Sequence, residues 1–389
     1  MATEKKQLII DYMQQTLSVF TAVLPLAISA AVFIGFHYIY GIGIALISSR
    51  ICAKNAPQKI MPAYSTFLIL MFAAHSYGLA TLSLAAFVCG IVSVAYCFLP
   101  EKFKIQDNPI TAGIMLATAI TVTVMLTTHY FGIGASGNTV KEMIASYLSL
   151  GFHPNWRGVL YGTVVMVIML TFPRKFKNFC NTVKAPFIAI VITLVLNLFL
   201  NPADMKTAIN EIGNNFIFDK STYHISFFLG EKIDFTAAII CGMALFFVCN
   251  YAMIKNDTNK SDYKISAMTN TLFGTVFALI LPYGAKFNKK GVVSGIGAAL
   301  LCILIPILSF GLIDRIPIHS LAVVLIVGAW ESVEWFEIKK AFSSPVSVIC
   351  FVASVGSCLM FGIVYGIIIS AVISTIYSLV FKSSQRLPK

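Results

Sequence analysis

A chain of 389 residues in which 58% are hydrophobic and only 11% charged cannot dress its surface as a water-soluble domain does, because such domains carry about 25% charged residues. Composition therefore excludes an ordinary cytosolic enzyme, a secreted disulfide scaffold and a disordered chain, and leaves an integral membrane protein with many spans. The net charge of +12 does not indicate nucleic acid, since the basic residues sit in short loops between apolar runs rather than on one face.

Taken in chain order, the first segment carries Lys5 and Lys6 ahead of an apolar run over 17–36. Asp11, Gln14 and Gln15 fill the stretch before that run. The run is also long enough to span, so it reads as an uncleaved first helix rather than a signal peptide. Further full-length runs follow at 38–53, 77–100, 109–131, 156–172, 184–200, 234–254, 264–281, 292–313, 316–330, 345–361 and 362–381, the last two joined at Gly362. Two shorter segments, 60–74 and 283–290, are opened by Pro62 and Pro282. Counting both predicts an all-α membrane protein of fourteen elements. No run shows the short alternation of a membrane barrel.

Placing the N-terminus inside and alternating puts 21 of the 28 Lys and Arg in inner loops and 6 in outer ones. Lys286 is left at depth. This agrees with the positive-inside rule and predicts cytoplasmic termini in a plasma or bacterial inner membrane. The longest polar stretch, 201–233, then lies outside. It separates two halves of seven elements each, 17–200 and 234–381, flanked by a cytoplasmic N-terminus over 1–16 and a tail over 382–389. Seven is odd, so the second half enters from the opposite side, as an inverted repeat.

The broken segments fall third in their halves and look alike: Pro62-Ala63-Tyr64-Ser65-Thr66-Phe67 and Pro282-Tyr283-Gly284-Ala285-Lys286-Phe287. Paired, Pro-interrupted short segments point to a transporter site. A half-helix that begins at mid-membrane aims unsatisfied N–H groups and a positive dipole end into the protein. Two such ends attract an anion. Lys286 or Lys289 would add a full charge, and a lysine at membrane depth usually has a functional or paired role. Ser65 and Tyr64 offer hydroxyls. Ser29 and Asn250 are polar side chains inside apolar runs, suited either to a ligand or to an interhelical hydrogen bond.

Other chemistry finds little footing. The nine cysteines form no CxxC pair, and the six histidines lack HxxxH or HExxH spacing, so neither metal nor cofactor is expected. GxSxG, P-loop and GxGxxG patterns are missing, so no enzyme is expected. Glu331, Glu334, Glu337, Lys339 and Lys340 suggest an amphipathic helix at the inner surface.

The sequence resembles the sulfate permease (SulP) family, anion transporters of the solute carrier 26 type. The likeness is clearest from Gly295-Ile296-Gly297-Ala298-Ala299-Leu300 through Ile313-Asp314-Arg315-Ile316-Pro317 to Leu321-Ala322-Val323-Val324-Leu325-Ile326-Val327. Trp335-Phe336-Glu337, Leu24-Pro25-Leu26-Ala27 and Asn108-Pro109-Ile110-Thr111-Ala112-Gly113 look like further family motifs. The resemblance implies fourteen elements in two inverted repeats, a core and a gate domain, and a homodimer embedded in lipid. The small anion (sulfate, bicarbonate, chloride or a dicarboxylate) would be moved by alternating access and driven by a coupling ion or by exchange. It would bind between the third and tenth elements with help from the first and eighth. Carried over by position, that site comprises Pro62, Ala63, Tyr64 and Ser65, with Ser29 and Asn250, and Ala285, Lys286, Phe287, Asn288 and Lys289. Lys289 takes the place of a family arginine.

This sequence departs from the pattern at Met61, where the family has glycine, at Leu26, where it has glutamine, and around Asn250, where many bacterial members carry a carboxylate. The family's C-terminal STAS domain is expected to be absent. The same fold also serves nucleobase carriers, and a channel-like or non-transporting member is the other alternative.

Overall fold

In the computed structural model the described residues are 2–34, 59–60, 64–98, 109–200, 233–255, 283–284, 297–298, 300–302, 304–305 and 312–384. They are almost entirely helical. Helix α1 spans Ala2–Ile34, so the predicted polar N-terminus continues the first spanning helix. Pro25 lies inside it and removes one backbone donor. A two-residue strand β1, Lys59–Ile60, precedes α2, which spans Tyr64–Cys97. The helix is broken at Gly78, whose φ of 84° and ψ of 167° suit glycine alone. The run expected to split between 74 and 77 therefore splits one residue beyond that gap, because only Gly78 can take the required conformation.

Helix α3 spans Pro109–Phe131 and α4 spans Val140–Leu150. The second was not expected from hydropathy. Its start is a capping arrangement: Thr139 accepts from the Glu142 backbone N–H at 3.2 Å, and the Glu142 carboxylate accepts from the Asn138 N–H at 2.9 Å. Helix α5, Trp156–Lys175, is capped by Asn155 and ends on Arg174 and Lys175. It is followed by the short α6, Lys177–Thr182, and by α7, Ala185–Leu200. Helix α8 spans Phe235–Lys255, and Asp234 caps it by accepting from the Ala237 N–H at 2.9 Å.

Strand β2, Tyr283–Gly284, comes next, and then a single 3-10 turn, Ile313–Arg315. Helices α9 (Ile318–Glu331), α10 (Trp335–Ala341), α11 (Pro345–Phe361) and α12 (Ile363–Ser384) complete the described chain. Gly362, at φ 82°, makes the expected join between the last two. Helix α10 falls where the amphipathic surface helix was predicted and carries a 3.8 Å ion pair between Glu337 and Lys340. The predicted runs 38–53 and 264–281 lie outside the described residues.

Three of the described helices, Gln7–Ile34 within α1, α3 and α5, are by themselves long and apolar enough to cross a membrane. Others are apolar but shorter, such as the 16 residues of α7, about 24 Å at the α-helical rise. The described helices share one hydrophobic core. Helix α2 lies along α8, and α1 packs against α9 and α7 as well as α2. Helix α3 meets α9 and α11, α5 meets α7 and α9, and α12 meets both α11 and α8. Small residues set the closest approaches. A Cβ on Gly113 of α3 would sit 2.8 Å from the Phe351 carbonyl of α11. At the same crossing the buried Ser354 hydroxyl donates to the Ile110 carbonyl at 3.0 Å.

Candidate functional site

The two broken segments are joined through their leading strands. β1 and β2 pair antiparallel, Lys59 opposite Gly284 and Ile60 opposite Tyr283. Paired Cα atoms in such a ladder lie about 4.5–5.5 Å apart. Tyr283 directly follows Pro282, and Ile60 stands two residues before Pro62. Hydropathy could not announce this bridge, since a two-residue strand has no period to read.

Helix α2 starts at Tyr64, immediately beyond the bridge. Its first N–H groups have no intrahelical partner and carry the positive end of its dipole. Tyr64 is 5% exposed. Its ring leaves the helix start and lies over α9, where a Cβ on Gly328 would overlap the phenolic oxygen. Ser65 is half-buried. Thr66, in the same first turn, is fully buried, and its hydroxyl has no hydrogen-bond partner among the described residues. Thr66 belongs to the Pro62–Phe67 segment, in which only Tyr64 and Ser65 were expected to offer hydroxyls.

Ser29 is fully buried in α1, and its hydroxyl donates to the Pro25 carbonyl at 2.8 Å. That bond ties it to the proline-bearing turn of its own helix. Asn250 belongs to α8, and its side chain lies outside the description. Pro62, Ala63, Ala285, Lys286, Phe287, Asn288 and Lys289 also lie outside the described residues. Of the predicted set, then, Tyr64 and Ser65 are seen together at a helix start, and Ser29 is seen in a neighbouring helix. Among the described residues no three His, Cys, Asp or Glu side chains are grouped to hold a metal ion.

A cavity of about 420 Å³ opens along the first half of α2. Helix α2 lines it with Leu68, Met71, Phe72 and His75, the spacing of a single helix face. Leu68 is one turn, about 6 Å, beyond Tyr64, so the cavity runs from the neighbourhood of the helix start to the far end of the half-helix. Opposite, α3 contributes Thr121, Met125, Leu126 and His129. The 135–140 loop, Met143 of α4 and the Cys358–Ile363 corner between α11 and α12 close the remainder.

The overall fold has known counterparts. The fold is that of the SLC26 transmembrane domain. An SLC26A9 structure superposes with a TM-score of 0.73 at 14% identity, over 96% of this chain and 66% of that one. The murine Slc26a9 anion transporter in an inward-facing state gives a TM-score of 0.68 at 12% identity, over 96% and 69% of the two chains. The transmembrane domain of BicA, a cyanobacterial bicarbonate transporter, gives 0.65 at 14% identity, over 95% and 96%. The chain thus spans about two thirds of the SLC26A9 chains and nearly all of the BicA domain. No protein-family model matches it, and no curated protein is similar to it in sequence.

Proposed function

We propose that this protein is a carrier of small anions, which bind between the start of α2 and the segment that follows β2. The observation that carries the reading is the β1–β2 bridge. It ties the chain leading into Pro62 to the chain leaving Pro282, as a pair of half-helices meeting at one site requires. An anion entering the bilayer loses hydration, and fixed donors aimed at it must replace the lost water. The N–H groups of the first turn of α2 supply one set, and the buried Thr66 hydroxyl supplies a donor that nothing else described here occupies. In this reading a matching set supplied by the sequence after Gly284, with Lys289 as the full positive charge, would complete the site.

Fold likeness to a bicarbonate transporter and an anion transporter supports the same substrate class. The two seven-element halves would form inverted repeats. The α1–α2–α8 set, as the core, would rock against the set built on α3, α5, α7, α9, α11 and α12. Both termini would face the cytoplasm and 201–233 would face outward, as the basic-residue asymmetry indicates.

Reconstituted protein, assayed for flux of labelled sulfate, bicarbonate and chloride, tests the proposal. Saturable uptake or exchange of at least one anion is expected. Folded, vesicle-inserted protein that moves none of them would overturn it. A cysteine at position 215 in a Cys-less background should be labelled from outside intact cells. Labelling only after permeabilisation would reverse the orientation.

A further inference from the structure

The turn between α5 and α7 reads Arg174-Lys175-Phe176-Lys177-Asn178-Phe179-Cys180-Asn181-Thr182-Val183-Lys184, with four cations and no acid. The basic pair of α10 differs, since Glu337 stands beside it and pairs with Lys340 at 3.8 Å. We infer that the 174–184 turn binds an anionic phospholipid, whose phosphate is held by Lys184 and whose acyl chains lie along the exposed apolar faces of α5 and α7.

Helix α6 fills the middle of the turn. Its six residues rise about 9 Å, so Lys184 follows closely on the basic residues at the start. Cys180 turns inward and is buried, while Phe176 and Phe179 are exposed. Helix α1 fixes the far end. The Ser18 hydroxyl donates to the Asn181 carbonyl at 3.0 Å, and the Lys184 backbone N–H donates to the Thr21 hydroxyl at 3.1 Å. Two helices thus hold the backbone of Lys184 in place before any ligand arrives.

The Lys184 ammonium is the group that calls for an anion. It is half-buried. It donates to the Asn181 carbonyl at 3.3 Å, an acceptor it shares with Ser18. An ammonium has three hydrogens to donate. The ionisable group beside it is the Cys180 thiol. Burial pushes that thiol up, so it stays neutral and is no counter-ion. Among the described residues no carboxylate pairs with Lys184. A cation drawn partly out of water without a partner is destabilising. A phosphate diester offsets that with charge-assisted hydrogen bonds. Arg174, Lys175 and Lys177 are exposed, and their field favours an anionic headgroup over a neutral one.

The surroundings point to a lipid rather than to a dissolved ion. Val167 and Leu170 on α5, and Val191 and Val195 on α7, are exposed apolar side chains, and the two helices pack on each other. Both are read as spanning the bilayer, so acyl chains are what such a face meets. Phe176 and Phe179 extend the apolar surface up to the charges. A free phosphate could use the lysine but would gain nothing from this surface. The inference concerns the membrane around the protein, and it holds whichever ion is carried and whichever side the turn faces.

The test uses full-length protein in detergent with two lipids of equal chains, dioleoylphosphatidylglycerol and dioleoylphosphatidylcholine. Native mass spectrometry reads bound lipid, and tryptophan fluorescence on heating reads stabilisation. Helical circular dichroism and size-exclusion elution serve as folding controls. Wild type should bind the anionic lipid at least about fivefold more tightly than the neutral one and melt at a higher temperature in its presence. Lys184→Met should lose that preference, yet melt no lower than wild type when no lipid is added, because it removes an unpaired half-buried charge. The combined Arg174→Gln, Lys175→Gln and Lys177→Gln variant changes only exposed positions, so folding is not at stake. It should weaken anionic-lipid binding by about tenfold or more. Lys339→Gln, the same loss of one charge on α10, should leave binding unchanged. Glycerol phosphate, the headgroup chemistry without chains, should not shift the melting temperature. Equal binding of the two lipids to wild type, undiminished binding in Lys184→Met or in the combined variant, or an equal loss in Lys339→Gln would overturn the inference. A lower melting temperature of lipid-free Lys184→Met would make the lysine a structural contact and overturn its role. A shift with glycerol phosphate as large as with the anionic lipid would overturn the lipid assignment in favour of free phosphate.

Discussion

Gly328→Ala is the most direct probe of how the start of α2 is seated. A Cβ there overlaps the Tyr64 hydroxyl oxygen and lies 2.9 Å from Cζ and 3.5 Å from Cε1. The ring is rigid, and Tyr64 is 5% exposed, so it has no free space to swing into. Overpacking of this kind costs about 1–3 kcal/mol. Tyr64→Phe removes the oxygen but leaves a carbon 2.9 Å from the new methyl group, so relief should be partial. The double mutant should be more stable than the sum of the two single effects predicts, by about 1 kcal/mol. Unfolding of the purified protein can be followed by the fluorescence of Trp330 and Trp335, whose rings stack at 6.3 Å between centroids. Anion affinity should fall in Gly328→Ala, because the displaced ring belongs to the first residue of the half-helix. Wild-type stability in Gly328→Ala, or strict additivity with Tyr64→Phe, would refute the placement of Tyr64 over α9.

Three further expectations follow from the same reasoning. Gly113→Ala should destabilise by more than Gly328→Ala and resist rescue by Ser354→Ala, since the new methyl meets the Phe351 backbone carbonyl at 2.8 Å as well as the serine; denaturant unfolding checks this. Lys289→Ala should weaken anion binding at least tenfold, about 1.4 kcal/mol, while Lys290→Ala, which the charge pattern assigns to an inner loop, should change little; equal affinities would remove Lys289 from the proposed site. Burial lowers the pKa of Lys184, so its contribution to stability is greatest above the unfolded lysine value and is lost as pH falls through the folded one. Lys184→Met should therefore stabilise the protein at neutral pH, with the gain vanishing above about pH 10.4, as read from melting at several pH values.

The described spans were legible because each follows an apolar run, and α11, Pro345–Phe361, matches its expected bounds residue for residue. Helix α4 was missed because it is too polar to register as a span, although Thr139 and Glu142 at its start already spelled a cap. The break in α2 was placed a little early because Gly78 interrupts the chain by conformation and not by polarity.

The site was legible to a different depth. Two prolines in matching positions were enough to pick out the segments, because a missing donor and a fixed φ are local properties of a residue. The direction of the Tyr64 ring was not, since it depends on a bare backbone at Gly328, 264 positions further along the chain. His75 and His129 read as histidines at span ends, and each is one when taken alone. Their chemistry comes from Phe33, which offers a carbonyl to the first and its ring to the second. Only the tertiary fold decides which side chain arrives to meet a given carbonyl or ring. For that reason the sequence marks the start of α2, where the proposed donors are backbone groups, more clearly than the cavity beyond it, where side chains from separate helices must meet.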